Sequence, residues 1–148
     1  MKMKEAGGVK MSAFLESISA KAFEPFGTVL EFPEGFEGNF FIVDTDENNP
    51  WRVAVFRYWN KEIQRIECHP TSKETFEPLS GVTVLIVAEH ETPDDYHAFI
   101  LDKPVCLKKG VWHQTLTLTD EASVKITENL EVESVFHDLA EPVRAFVG

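Results

Sequence analysis

Two histidines and two carboxylates set the chemical question in this sequence. They stand in Glu67-Cys68-His69, at Glu74, and far downstream in Gly110-Val111-Trp112-His113. On extended backbone successive side chains alternate, so Glu67 and His69 project to one face with Cα atoms roughly 6.5–7 Å apart. Glu74 follows across a turn, and Gly81 opens the next strand. Imidazole and carboxylate donors converging on one point suit either a divalent metal ion or an acid/base pair around a small polar substrate. The candidate metal ligands are therefore Glu67, His69, Glu74 and His113, and the candidate catalytic residues are His69, Glu74 and His113. Convergence is the condition. A lone strand histidine is more often a hydrogen-bonded structural group than a ligand, and Glu67 reads equally well as a solvated carboxylate.

Substrate contacts are sought on the strands beside them. Arg57 shares strand parity with Val53, Val55 and Trp59. If that face lines an interior, its guanidinium is placed to clamp a carboxylate through two parallel hydrogen bonds; an ordinary salt bridge is the equal alternative. Lys125 alternates with Val124 and Ile126 and so points with Ser123 and Thr127, into a polar interior or into solvent. Gln114, beside His113, is the third candidate substrate-binding residue. Thr115 and Thr117 share the parity of His113 and would give the pocket a polar lining. Trp112 and Cys68 point away from the histidines, which disfavours a Cys-His nucleophile pair. His90, His97 and His137 carry no spacing signal.

The elements that must position these residues read as short strands. Candidate strands cover Gly27 to Phe32, Phe40 to Val43, Arg52 to Trp59, Gly81 to Ala88, His97 to Leu101 and Val105 to Leu107, then His113 to Thr119, Ser123 to Thr127 and Val132 to Phe136. Gly81 to Ala88 is the longest apolar run and is expected to be a central strand buried on both faces. Helix is expected only at Ser19 to Phe23 and near Asp138 to Glu141. Short strands at close, turn-rich spacing predict an all-β sandwich or barrel. The stretch from Glu34 to Pro50 is the expected mobile loop.

Composition bounds the remainder. A chain of 148 residues with 43% hydrophobic content, twelve Phe and three Trp is long enough for one packed domain. Residues 1–10 are expected to form a flexible N-terminal extension, and residues 11–148 a single domain. The net charge of −11 argues against nucleic-acid or anionic-membrane partners, both of which need a basic face. A small anionic metabolite remains compatible, since a few local cations can reverse the field inside a pocket. No run approaches the roughly 18–20 apolar residues of a membrane-spanning helix. The charged start lacks the apolar core of a secretory signal, and Cys68 and Cys106 read as reduced thiols, so the expected location is cytoplasmic.

From Phe23 to about Val135 the chain resembles the ureidoglycolate lyase family of the cupin-like superfamily. The resemblance is carried by Phe23-Glu24-Pro25-Phe26-Gly27, Arg57, Glu67-Cys68-His69-Pro70, Glu74-Thr75-Phe76 and Pro78-Leu79-Ser80-Gly81. It continues through Ala98-Phe99-Ile100, Gly110-Val111-Trp112-His113 and Val132-Glu133-Ser134. It implies an all-β, cupin-like β-barrel (a double-stranded β-helix), a possible divalent metal ion, a homodimer, and a place in allantoin degradation. Leu116 and Leu118, read as outward-facing, agree with a dimer contact.

The implied reaction releases urea and glyoxylate from ureidoglycolate. Arg57 would clamp the carboxylate, Glu74 or His69 would act as base, and His113 as acid or metal ligand. The family reads Arg at Cys68, Gln at Glu74, a second His at Gln114 and Pro at Thr115. Its late acidic-basic pair has its nearest equivalent in Glu128-Asn129. Those replacements predict ureidoglycolate turnover well below that of a chain with the full motif. Two alternatives stand beside this reading: a metal-dependent isomerase or oxygenase of another metabolite, and a non-catalytic ligand-binding barrel.

Overall fold

The computed structural model describes residues 2–4, 10–31, 33–38, 43–44 and 49–145. Thirteen strands and one short helix are defined among them. In chain order the strands are β1 (Lys2–Lys4), β2 (Lys10–Ala13), β3 (Leu15–Ser17), β4 (Gly27–Val29), β5 (Trp51–Tyr58), β6 (Glu62–Cys68) and β7 (Glu74–Ser80). They continue with β8 (Thr83–Ala88), β9 (His97–Ile100), β10 (Val105–Leu107), β11 (Trp112–Thr117), β12 (Ala122–Asn129) and β13 (Val135–Arg144). The helix α1 (Ala20–Phe23) starts where Ser19 Oγ accepts from the Ala22 N–H, at 3.1 Å. A hydroxyl acceptor at that position satisfies one of the N–H groups a helix start leaves unpaired.

Two sheets carry the fold. A five-stranded sheet runs in the order β4-β10-β7-β12-β5, and a six-stranded sheet in the order β13-β6-β11-β8-β9-β3. The pairings are antiparallel except for β3 on β9, which is parallel. Between the sheets lies the main apolar core. Phe76, Val105, Val124 and Ile126 from one sheet meet Leu85, Val87 and Phe99 from the other, with Phe23 and Phe26 closing one side. This is the all-β, cupin-like architecture.

A second core forms on the opposite face of the six-stranded sheet. Ile66, Cys68, Val84, Ile86, Trp112 and Leu116 pack there under Ala13, Leu139, Val143 and Ala145. Odd residues of β8 feed the first core and even residues the second, which explains why Thr83–Ala88 is buried throughout. The same packing corrects the expectation for Leu116. Its side chain does leave the barrel, but it is 1% exposed beneath the C-terminal strand, with Leu118 half-buried beside it.

Other sequence expectations shift as well. Asp138 to Glu141 is not helical, because β13 continues through it, pairing with β6 across an irregularity between Asp138 and Val143. Glu74–Ser80, absent from the expected strands, is the central strand of the five-stranded sheet. Of the strand expected at Phe40 to Val43, residues 40–42 lie outside the described residues, as does Phe32 of the first strand. Within the expected extension, residues 1 and 5–9 also lie outside them, while Lys2–Lys4 pairs with Lys10–Ala13 as a separate two-stranded sheet.

Two glycines make the turns possible. Gly81, between β7 and β8, has φ +70°, and a Cβ there would stand 2.2 Å from the Glu121 carbonyl oxygen. Gly110, ahead of β11, has φ +79°. Its N–H donates to the His69 carbonyl at 3.0 Å, tying the start of β11 to the end of β6.

Candidate active site

The strand register brings two cross-strand pairs to face each other at one end of the barrel. In the six-stranded sheet His113 pairs with Glu67. In the five-stranded sheet Glu74 pairs with Glu128, and Glu128 in turn pairs with Arg52 of β5. His69 stands one residue past the end of β6. Like charges directly opposite on a sheet are unfavourable, so the Glu74–Glu128 pair needs positive charge close by. Histidines from the facing sheet and Arg52 on the flank provide it.

The distances are those of one cluster. Glu74 Oε1 lies 2.8 Å from His113 Nε2 and 3.3 Å from His69 Nε2. Glu128 Oε1 lies 3.9 Å from His69 Nε2, and Glu67 Oε1 lies 3.9 Å from His113 Nε2. His69, Glu74, His113 and Glu128 are buried, and Glu67 is partly exposed. Phe76 closes the inner side, its ring edge-on to His113.

Both imidazoles are anchored through the ring nitrogen that faces away from the cluster. His69 Nδ1 meets the Glu133 carbonyl at 3.1 Å, with Ser134 Oγ at 3.2 Å. His113 Nδ1 meets the Val111 carbonyl at 3.1 Å. A carbonyl only accepts, so Nδ1 carries the proton in each ring and Nε2 is turned to the centre. The backbone carbonyls thus fix ring orientation as they do behind metal-ligating histidines.

The centre itself is undersatisfied. Glu74 Oε1, His113 Nε2 and Glu128 Oε1 are buried, yet none has an aligned hydrogen bond among the described residues. The close approach of Glu74 to His113 is thus a short ionic contact without hydrogen-bond alignment. Ligand atoms about 2.1 Å from one cation and at right angles to each other sit about 3 Å apart. The donors present, imidazole nitrogen and carboxylate oxygen, suit a first-row divalent ion, and two triads hold their ligand atoms within 4.8 Å: Glu67, His69, His113 and His69, Glu74, Glu128. The residues therefore fit the group the sequence reading anticipated.

Without an ion the cluster resolves its charges by protonation. Burial alone would lower the His69 pKa, but the Glu74 carboxylate beside it raises it to about 9. His113 is likewise raised, burial opposing and the Glu74 charge prevailing. Burial would push Glu74 upward, yet His113 and His69 hold it down at about 2.

The expected substrate residues fare differently. Arg57 faces outward and pairs with Glu121 at 3.2 Å, its side chain 64% exposed. The face of β5 that turns inward is the other one: Ala54 and Tyr58 pack on the core, and Arg52 reaches Glu128 through Nε at 3.1 Å and Nη2 at 2.7 Å. Parity holds, and of the two alternatives for Arg57 the ordinary salt bridge is the one realised, because the more apolar row of Val53 and Val55 is the exposed one. Lys125 also faces outward, paired with Glu77 at 3.0 Å. Gln114 lies on the Trp112 and Leu116 side of β11, away from His113, its Oε1 accepting from the Thr115 N–H. Thr115 and Thr117 are buried on the His113 face, as parity implied.

Arg52 is a functional candidate that sequence reading passed over, and Glu128, noted there only as half of the nearest equivalent to a late acidic-basic pair, is a second that it gave no role. The signal available was the alternation of Val124, Ile126 and Glu128 on one face of β12, which carries a carboxylate into the apolar row. The family model for ureidoglycolate lyase matches residues 41–141. No curated protein matches the chain.

Proposed function

The chain belongs to the ureidoglycolate lyase family, and from that membership we propose that it is a lyase acting on a small polar carboxylate of the ureidoglycolate type at the His69–Glu74–His113 centre. The observation that carries this reading is the pair of imidazoles, each held by a backbone carbonyl at Nδ1 and each turning Nε2 onto Glu74 Oε1.

Ureidoglycolate breaks down when its carbinol O–H loses a proton, the carbon–nitrogen bond to the ureido group cleaves, and that nitrogen gains a proton. Glyoxylate and urea result. A carboxylate-bearing substrate needs a cation, and Arg52 is the guanidinium at the cluster. Two of its five N–H donors engage Glu128 and the side chain is 42% exposed, leaving donors for a substrate carboxylate.

His69 and His113 through Nε2, and Glu74 through Oε1, would hold a divalent ion. When bound, the ion supplies Lewis acidity toward a substrate oxygen. Glu67, less buried than the others and, among the described residues, with only a long contact to His113, is the residue placed to exchange a proton with the substrate. Phe76 and the apolar core behind it exclude water from the inner side. In ion-free protein Glu74, held at about 2, is too weak a base for a carbinol proton, while protonated His69 remains a donor to the leaving nitrogen.

The test is urea release from ureidoglycolate by chelator-stripped protein and by protein reloaded with Mn²⁺ or Zn²⁺, each beside His113→Ala. Turnover that requires both the ion and His113 supports the reading. Metal-independent turnover that survives His113→Ala overturns it.

A further inference from the structure

We propose that Glu128 is a metal ligand of this centre, aimed by Arg52, and that it rather than Glu67 completes the carboxylate share of the coordination set with Glu74. The inference rests on the metal-binding reading of the same site and adds a ligand from β12, a strand outside the segments that carry the histidines.

Three observations converge on it. Glu128 is buried to within 8% of full exposure loss and sits directly across the β7–β12 ladder from Glu74. Its two oxygens are differentiated: Oε2 takes both the Nε and Nη2 donors of Arg52, whereas Oε1 is buried, without a hydrogen bond, and 3.9 Å from His69 Nε2. Its carboxylate also forms a triad with His69 and Glu74 whose ligand atoms lie within 4.8 Å of one another, as Glu67 does with His69 and His113, so burial and the hold of Arg52 are what distinguish the two. A buried carboxylate oxygen without a partner is costly, and a cation at the centre removes that cost for Glu128 and Glu74 together.

Glu67 lacks this construction. It is partly exposed and, among the described residues, no guanidinium fixes its carboxylate, so it retains freedom to turn toward solvent or substrate. Charge balance agrees. Two neutral imidazoles and the carboxylates of Glu74 and Glu128 neutralise a divalent ion. Arg52, behind Glu128, then offsets the remaining carboxylate of the cluster, Glu67.

The experiment measures Mn²⁺ binding by the signal of free Mn²⁺ in paramagnetic resonance. It compares the unaltered protein with Glu128→Gln, Glu67→Gln, Arg52→Met and Arg52→Lys, each checked for folding by thermal unfolding in chelator. Glu128→Gln keeps the shape and loses the charge, and should weaken Mn²⁺ binding by at least the roughly 10–100-fold that loss of an outer-shell partner costs. Arg52→Met should weaken it by about 10–100-fold, with Arg52→Lys recovering part of the loss. Glu67→Gln should stay within about threefold, well below those losses. Mn²⁺ binding that is unchanged in Glu128→Gln, or lost more heavily in Glu67→Gln, overturns the assignment while leaving the metal centre in place. A protein that binds no Mn²⁺ before any substitution overturns both.

Discussion

At the scale of single residues, the site is a balance between two ways of neutralising buried carboxylates, by protons on His69 and His113 or by a cation. That balance has a pH signature. In ion-free protein His69, raised from 6.5 to about 9, contributes stability that is full below pH 6.5 and lost as pH rises through about 9. Glu74, lowered from 4.5 to about 2, contributes stability that is full above pH 4.5 and lost as pH falls toward 2. Chelator-treated protein should therefore be most resistant to urea between about pH 4.5 and 6.5, and a midpoint that climbs from pH 6.5 to 9 would contradict the geometry. Divalent-ion affinity should rise over that upper range, because ligation requires the imidazoles to shed the Nε2 proton. The two arginines of β5 separate just as cleanly. Arg52→Ala should raise KM for an anionic substrate about tenfold or more, the worth of a lost charged hydrogen bond. Arg57→Ala, which removes only an exposed pair with Glu121, should leave kcat/KM nearly unchanged in steady-state assays.

At the scale of elements, the site depends on strand ends and on the turns that set their register. The loop from the end of β6 to the start of β7 places His69 and Glu74 on neighbouring sheets, and the Gly110 N–H on the His69 carbonyl brings β11 in beside them. A one-residue slip of any strand would turn its donor to the opposite face. Gly81 lies where the chain leaves β7 for β8, at the Ser80–Ser123 end of the β7–β12 ladder whose other end carries Glu74 and Glu128. Gly81→Ala combines a left-handed backbone with a Cβ driven against the Glu121 carbonyl. It should cost on the order of 1–3 kcal/mol in urea-unfolding free energy, or more, since the obstacle is backbone. Activity per folded molecule should change little, because Gly81 does not touch the histidine cluster. At one edge of the five-stranded sheet, β5 turns its more apolar row outward.

For the whole molecule, that row of Trp51, Val53, Val55 and Trp59 takes the place of Leu116 and Leu118 as the surface on which a homodimer is to be expected. Light scattering at micromolar concentration should give the mass of two chains, and Val55→Glu should shift it toward one; a monomer before substitution would remove the expectation. Among the described residues no helix is long and apolar enough to cross a membrane. Much of this molecule was decided by local sequence: alternating β-branched and aromatic residues make strands, a run apolar at every position makes a strand buried on both faces, and Glu67-Cys68-His69, Glu74 and His113 mark a candidate site by residue type and spacing. Tertiary structure alone decided which face of β5 is interior. Alternation fixes parity without fixing inside from outside, and the more apolar row is the exposed one. It alone also set Glu128 opposite Glu74 and Arg52 beside Glu128, because register between strands distant in sequence is settled by packing two sheets around one core and leaves no mark on either strand by itself.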